Sequence, residues 1–224
     1  MRKAIIAVLI SIFVAKADFI ELIDNGSFED ASSASVGEIH GLKISDLVNG
    51  GGNQSWDVYD VIPAWTTSAG EGIELQKNTI VDAQNGNIYV ELDSHPGSNG
   101  ISNSTMFQSV SLTEEASLQL SFWYKPRTAL ANDNGIKVTF DGVEIAHPNK
   151  KAPSAWEEVA VDLGLFGPGS YDLAFAATGE DNTLGGFVDN VSLKAHAVAE
   201  PGSLSLMGIG LLFLAGWLRK RRNS

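Results

Sequence analysis

The sequence predicts an all-β fold, an antiparallel β-sandwich of the jelly-roll type, and three observations support this prediction. Apolar and polar residues alternate along many short segments, which is the pattern of strands that bury one face. Clusters rich in Gly, Asn, Asp and Pro separate these segments at the spacing typical of sandwiches. No segment between residues 18 and 198 repeats apolar residues with the 3.6-residue period of a helix.

The predicted strands succeed one another along this region. In the most regular one, 118–125, the even-numbered residues are Leu, Leu, Phe and Tyr, and the odd-numbered ones lie on the opposite face. Asp141-Gly142 is a strong two-residue hairpin signal between two strands. Ala31–Ser55 lacks alternation, so we expect a long surface excursion there. The other predicted strands are 87–93, 136–140, 143–145, 159–163, 171–175 and 187–193.

Residues 1–17 have the pattern of a secretory signal peptide. The basic pair Arg2-Lys3 precedes the apolar stretch Ala4–Val14, and Ala15-Lys16-Ala17 is a small-x-small cleavage site. The apolar stretch is too short to favour a membrane-spanning helix. We therefore expect the protein to be exported and its main domain to comprise residues 18–198.

The C-terminal residues 199–224 combine a polar entry, an apolar run and a basic end. Glu200-Pro201 precedes Leu204–Leu218, which is uncharged and close to the minimum length of a membrane-spanning helix, and Arg219–Arg222 follows it. One interpretation is a permanent anchor whose basic end stays in the cytoplasm. The segment also resembles the PEP-CTERM sorting signal of Gram-negative bacteria, although Ala199 stands where the first Pro is usual.

The resemblance to a sorting signal has consequences for localisation. It implies that a processing protease of the exosortase type removes the tail, so that the membrane anchoring through the C-terminal helix is transient. The protein would then cross the inner membrane and end at the cell surface or in the extracellular space.

The charge distribution excludes several functions. All 27 Asp and Glu residues lie between residues 18 and 200, whereas seven of the 15 Lys and Arg residues lie outside that range, so this region has a formal charge of −19. Such a surface repels nucleic acid, which requires basic patches. The chain has no cysteine, which excludes disulfides, a thiol nucleophile and thiolate metal ligands.

Two carboxylates are candidates for a shared cation. Asp189 falls in phase with the apolar residues Phe187 and Val191 of the last predicted strand, and a carboxylate on an apolar face is costly unless it is paired or bound to metal. Glu29 occupies a similar position near the start, and the first and last strands of a sandwich are often neighbours. Calcium fits because it takes oxygen ligands. The alternative is that each carboxylate accepts backbone N–H groups.

The same positions resemble the galactose-binding-like jelly-roll superfamily, which includes many carbohydrate-binding modules. The resemblance implies a structural calcium held by Glu29 and Asp189, and it makes carbohydrate the expected ligand class. The matching motifs, in the expected order, are Asn25-Gly-Ser-Phe-Glu29, Ile62-Pro-Ala-Trp65, Gly72-Ile-Glu-Leu75, Gly86–Ser94, Phe122–Arg127 and Gly185–Leu193.

The sequence contains no recognisable catalytic constellation. There is no HExxH motif and no Gly-x-Ser-x-Gly elbow, and the Gly-rich stretches lack the Lys-Ser/Thr of a phosphate loop. Glu74 and Glu91 form a possible carboxylate pair for glycoside hydrolysis, but such pairs are a weak signal in so acidic a domain. We therefore expect a protein that is not an enzyme.

Aromatic side chains provide the candidate ligand-binding residues. Trp123 lies on the polar face of its predicted strand, with Lys125 beside it and Arg127 just beyond. Trp56 and Tyr59 lie beside the long excursion, where loop-borne aromatic residues often contact ligands. The alternative for Trp123 is packing beneath a covering loop.

Two functional hypotheses follow. The first is an exported, non-catalytic protein of the cell surface or extracellular matrix that binds polysaccharide, including the exopolysaccharide of a biofilm. The second is a structural or adhesion protein that acts through calcium and protein contacts and has no sugar site.

Overall fold

A computed structural model of the chain describes residues 19–96, 100–152, 154–197 and 221. The predicted signal peptide and the sorting motif Glu200-Pro201 lie outside the described residues. No helix formed by the described residues is long and apolar enough to cross a membrane.

The described residues form thirteen strands and two short 3₁₀ turns, Ile44–Asp46 and Ala131–Asp133. The strands are β1 (Phe19–Glu21), β2 (Trp56–Tyr59), β3 (Val61–Ile62), β4 (Trp65–Ala69), β5 (Ile73–Lys77), β6 (Ile88–Glu91), β7 (Thr105–Leu112), β8 (Ala116–Lys125), β9 (Ile136–Phe140), β10 (Val143–Ala146), β11 (Glu157–Phe166), β12 (Gly169–Ala177) and β13 (Phe187–Ala197).

These strands form two antiparallel sheets, as the alternating pattern predicts. The larger sheet has the order β11-β8-β13-β6-β5-β2, and β1 pairs with β13 outside this path. The smaller sheet has the order β10-β9-β12-β7-β4-β3. The pairing of β1 with β13 confirms that the first and last strands are neighbours. The protein is thus an all-β, two-sheet sandwich with a jelly-roll-like fold.

A chain of aromatic rings connects the two sheets through the core. Phe122 of β8 meets Phe175 of β12 edge-on with ring centroids 5.1 Å apart, and Phe175 contacts Trp65 of β4 at 6.0 Å. Trp65 in turn packs on Phe28 at 5.8 Å. All four side chains are fully buried. Aromatic pairs of this kind each add about 0.5–1.5 kcal/mol beyond the burial of their area.

The predicted hairpin at Asp141-Gly142 is confirmed. It joins β9 to β10, and both residues have positive φ, 50° and 76°. A two-residue turn with positive φ at both positions matches the twist of the flanking strands, which explains the preference for Asp-Gly.

The prediction that Asp189 lies on the same face of β13 as Val191 is wrong, because a bulge at Asn190 separates them. The register of β13 against β8 shifts between Asp189 and Ser192, and Asn190 has a φ of 49°. This bulge reverses the alternation, because an extra residue moves the following side chains to the other face. Asp189 pairs with Trp123 on the outer face of the large sheet, whereas Val191 belongs to the core.

The excursion predicted at Ala31–Ser55 is more ordered than expected. Ile44 and Leu47 are buried in the core. The buried carboxylate of Asp57 accepts backbone N–H groups from this excursion and from its own strand, at 2.9–3.2 Å; the donors are Ile39, His40, Leu42 and Val58. A buried carboxylate that accepts hydrogen bonds from an irregular segment leaves no periodic pattern in the sequence. The alternation of apolar and polar residues therefore could not predict this role of Asp57.

Candidate functional site

The candidate site is an open groove on the outer face of the large sheet, the face turned away from the core. The groove has a volume of ≈ 380 Å³ and crosses β8, β11 and β13. Its lining side chains offer both hydrogen-bond donors and acceptors; they include Gln119, Ser121, Glu158, Asp162 and Lys194, with the small Ala160 between them.

Trp123 is not part of the lining of this groove but lies next to two residues that are, Ser121 and Glu158. It is two residues from Ser121 on β8, so the two side chains lie on the same face, and it pairs with Glu158 of β11. The ring is half-buried. The indoles of Trp65 and Trp156 donate hydrogen bonds to backbone carbonyls, whereas that of Trp123 donates none within the described part of the chain. An aromatic surface with a free donor next to a polar groove suits an amphipathic ligand.

Lys125 and Arg127 lie near Trp123 in sequence, but both are engaged within the protein. The Lys125 ammonium donates to the Ser154 carbonyl at 2.8 Å. The side chain of Arg127 is only 15% exposed, and its Nη1 donates to both carboxylate oxygens of Glu91 and to the Thr183 carbonyl. In this structure neither cation is free to contact a ligand in the groove.

Trp56 and Tyr59 lie on β2, at the opposite edge of the sheet from the groove. Trp56 packs between two imidazole rings, with centroids 4.4 Å from His40 and 4.3 Å from His95. Tyr59 is 1% exposed and belongs to the hydrophobic core. The expectation that Tyr59 contacts a ligand does not fit this position, because alternation along β2 turns its ring inward.

Glu91 is a fully buried ionisable group with a strongly perturbed pKa. Burial raises its pKa well above the ordinary value, the nearby Glu74 carboxylate raises it further, and the charge of Arg127 opposes both effects. The Gln76 amide nitrogen lies between the two carboxylates, donating to Glu74 at 2.7 Å and to Glu91 at 2.5 Å. A glycosidase needs space for a sugar between its carboxyl groups, and here the amide occupies that space.

This buried network fixes the loop that precedes β13. Arg127 holds the Thr183 carbonyl at 3.0 Å, and Glu91 accepts the Gly185 N–H at 2.7 Å. Between them, Asp93 accepts the Leu184 N–H at 2.8 Å. These three charged side chains therefore have structural roles, because each forms a hydrogen bond with the backbone of one of three successive residues in the same loop.

Glu29 and Asp189 meet at the loop between β5 and β6. Glu29 Oε1 accepts hydrogen bonds from the backbone N–H groups of Asn87 and Ile88, both at 2.6 Å. Asp189 accepts three more; the donors are Gln84 and Asn85 at 2.8 and 2.9 Å, and Asn190 at 2.6 Å. Burial raises the pKa of Asp189 to about 7 despite these donors, and the Glu29 charge adds to the increase.

The donor set at this pair is small for calcium. Backbone N–H groups occupy one oxygen of Glu29 and both oxygens of Asp189, whereas calcium takes six to eight oxygens. Within the described ranges, no group of three or more Asp, Glu or His side chains is placed to hold a metal ion. The structure thus brings the two predicted carboxylates to one loop, and calcium at that loop stays a prediction.

The sequence patterns identify only part of the groove. Gln119 and Ser121 share the polar face of Trp123 by simple alternation. Glu158, Asp162 and Lys194 come from strands that flank β8 in space but not in sequence. No local pattern predicts the order β11-β8-β13, so these three residues could not be assigned to the site.

No protein-family model matches the chain. A stretch of 104 residues, 46% of the chain, is 30% identical to a multifunctional-autoprocessing repeats-in-toxin protein of Vibrio vulnificus. The chain spans only 2% of the length of that protein.

Several solved structures align with a large part of this chain, at low sequence identity and with TM-scores below 0.5. A cyclase from Fischerella sp. TAU aligns over 82% of this chain and 100% of its own, with 13% identity and a TM-score of 0.49. The carbohydrate-binding module TmCBM61, solved with β-1,4-galactotriose, aligns over 78% and 97%, with 15% identity and a TM-score of 0.40. A family 35 carbohydrate-binding module from Clostridium thermocellum aligns over 64% and 92%, with 17% identity and a TM-score of 0.36.

Proposed function

We propose that this protein is a non-catalytic carbohydrate-binding module and that the groove beside Trp123 is its sugar site. One observation carries the proposal: an open groove of ≈ 380 Å³ with several hydrogen-bonding side chains is lined by Ser121 and Glu158, the neighbours in the sheet of the half-buried Trp123. Sugars present apolar C–H faces and a rim of hydroxyl groups, so they are bound by an aromatic platform with polar groups around it.

The shape of the groove favours a chain over a single sugar. It lies across three strands of one sheet and is open to solvent. Adjacent strands are roughly 4.8 Å apart, so three strands span about two sugar rings. Polysaccharide or another glycan of the cell surface is therefore the proposed partner.

The proposal includes the export and sorting of the protein by the two ends of its chain. A signal peptide at residues 1–17 and a PEP-CTERM-like signal containing Glu200 and Pro201 would export the protein and hold it transiently in the membrane. An exosortase-type protease would then release it to the cell surface or the extracellular matrix.

The second candidate is an adhesion or structural protein without a sugar site. The observation that favours it is the Glu29–Asp189 pair, because the two carboxylates meet at one loop and the raised pKa of the buried Asp189 shows a carboxyl group whose charged form a bound calcium ion would stabilise. In that case the groove residues would be dispensable and adhesion would require calcium.

Binding of the full chain to a panel of immobilised glycans tests the proposal. We expect at least one oligosaccharide to bind, and Trp123→Ala to lose at least tenfold in affinity with an unchanged melting temperature. Phe107→Ala, a half-buried aromatic position in the small sheet, is the control and should bind as the wild type does. Equal binding by the Trp123 variant would remove the groove from the site.

A further inference from the structure

We infer that the groove selects a sugar bearing a free, protonated amino group over neutral and anionic sugars. This inference names the ligand class of the site proposed above and therefore rests on that proposal. It is carried by the charges that line the groove and by their lack of partners.

Two carboxylates of the groove are unpaired. Glu158 and Asp162 are exposed on β11, and neither forms an ion pair with a described residue. Asp162 accepts one hydrogen bond, from the Gly164 N–H at 2.9 Å. Four residues apart on one strand, the carboxylates lie on the same face, with Cα atoms roughly 13 Å from each other. Together with Lys194, which also lines the groove, the two carboxylates give the lining a net formal charge of −1.

The one lysine that lines the groove also contacts an aromatic ring outside its lining. The Lys194 ammonium lies 4.7 Å from the centroid of the Phe19 ring, in a cation–π contact at the pairing of β1 with β13. Such a contact stabilises the ammonium where it is. The groove therefore favours an incoming cation and disfavours an incoming anion.

The pair Trp123 and Glu158 contributes most to the expected preference of the groove for a cation. They are direct cross-strand partners on the outer face, where paired Cβ atoms are about 4.5–5.5 Å apart. An indole surface attracts a cation through its quadrupole, and an adjacent carboxylate adds a charge-assisted hydrogen bond. A protonated amine on a sugar ring satisfies both groups at once, whereas a hydroxyl or a carboxylate on the ring does not.

The charge of the whole domain supports the same selection. With a formal charge of −19 between residues 18 and 200, the protein repels polyanions such as polyuronates at long range. The same long-range field attracts any polycation, so a local effect of the groove must be separated from this general attraction.

The test compares oligomers that differ only at nitrogen. Binding of the full chain is measured at about 150 mM salt, which limits long-range attraction to roughly 8 Å. The probes are β-1,4-linked glucosamine and galactosamine oligomers, their N-acetylated counterparts and a uronate oligomer of equal length. The variants are Glu158→Gln with Asp162→Asn, and as a charge-matched control Glu114→Gln with Glu115→Gln in the exposed turn between β7 and β8.

We expect the wild type to bind an amino oligomer at least tenfold more tightly than its N-acetylated counterpart, and the uronate least. The groove variant should lose at least tenfold toward the amino oligomer, and the turn variant at most twofold. Equal affinity for both forms, or equal losses in both variants, would overturn the amine selection while Trp123-dependent sugar binding stands. Absence of binding to every one of these oligomers would overturn the amine selection, whereas the proposed function itself fails only if no oligosaccharide of the wider glycan panel binds.

Discussion

Arg127 and Glu91 form a buried ion pair in which one guanidinium nitrogen lies 2.7 and 2.6 Å from the two carboxylate oxygens. The pair joins the end of β8 to β6 and, through the Thr183 carbonyl, to the loop before β13. It withdraws from the solvent a cation that the sequence places beside the groove. The remaining outward-facing charges of the groove are therefore mainly carboxylates.

Removal of this cation should destabilise the protein strongly. Arg127→Met leaves the Glu91 carboxylate buried without its countercharge, and we expect a loss of about 3–5 kcal/mol in the free energy of unfolding. Urea denaturation measures it. Lys125→Met is the matched control, because its ammonium contacts a single carbonyl, and it should cost about 1 kcal/mol. Equal losses in the two variants would show that the buried pair has no special role.

The Asp57 carboxylate should determine whether the excursion at residues 31–55 folds onto the sandwich. Asp57→Ala leaves four N–H groups without their acceptor, and we expect a loss of about 3 kcal/mol or more, since each orphaned donor costs about 1–3 kcal/mol. Hydrogen exchange should accelerate at Ile39 and Leu42. The exposed Asp60→Ala is the control and should change neither quantity. Unchanged protection of these amides in Asp57→Ala would contradict this role.

The raised pKa of Asp189 predicts a specific dependence of stability on pH. A carboxyl group whose pKa rises from 3.8 to about 7 on folding stabilises the protein in its protonated form. That contribution is complete below about pH 3.8 and is lost as the pH rises through about 7. In calcium-free buffer, the stability of the wild type should therefore fall relative to Asp189→Asn between pH 4 and 7, by up to about 1.4 kcal/mol per pH unit.

Urea denaturation of both proteins at pH 5, 6, 7 and 8 measures this difference, and the other titrating groups cancel in the comparison. Parallel curves would mean that Asp189 titrates in the native state as it does in the unfolded chain.

Calcium binding at the Glu29–Asp189 pair predicts a shift in melting temperature. At a calcium concentration of about 100 Kd, binding adds about 2.7 kcal/mol, which corresponds to roughly 5–10 °C for a domain of this size. The shift should vanish in Asp189→Asn and with a chelator. A metal-stripped wild type whose melting temperature is insensitive to calcium would exclude the structural calcium.

The fold was predictable from local patterns, whereas the site was predictable only in part. Alternation in β8 and the Asp141-Gly142 turn are local properties, and the structure confirms both. The bulge at Asn190 breaks alternation through one backbone conformation that the sequence does not specify. The burial of Arg127 and the position of Glu158 opposite Trp123 depend on which distant strands become neighbours, and no short-range pattern encodes that order.

The most direct test of the sugar-binding groove is to fill it without removing any of its hydrogen-bonding groups. Ala160 is exposed in the groove, opposite Ser121, so Ala160→Phe should occupy the space of a sugar ring at little cost in stability. Ser111→Phe, at an exposed position of β7 in the small sheet, is the matched control. The measurement is the affinity for the best oligosaccharide of the panel. We predict at least a tenfold loss for Ala160→Phe and none for Ser111→Phe, whereas undiminished binding by a folded Ala160→Phe would contradict the groove as the site.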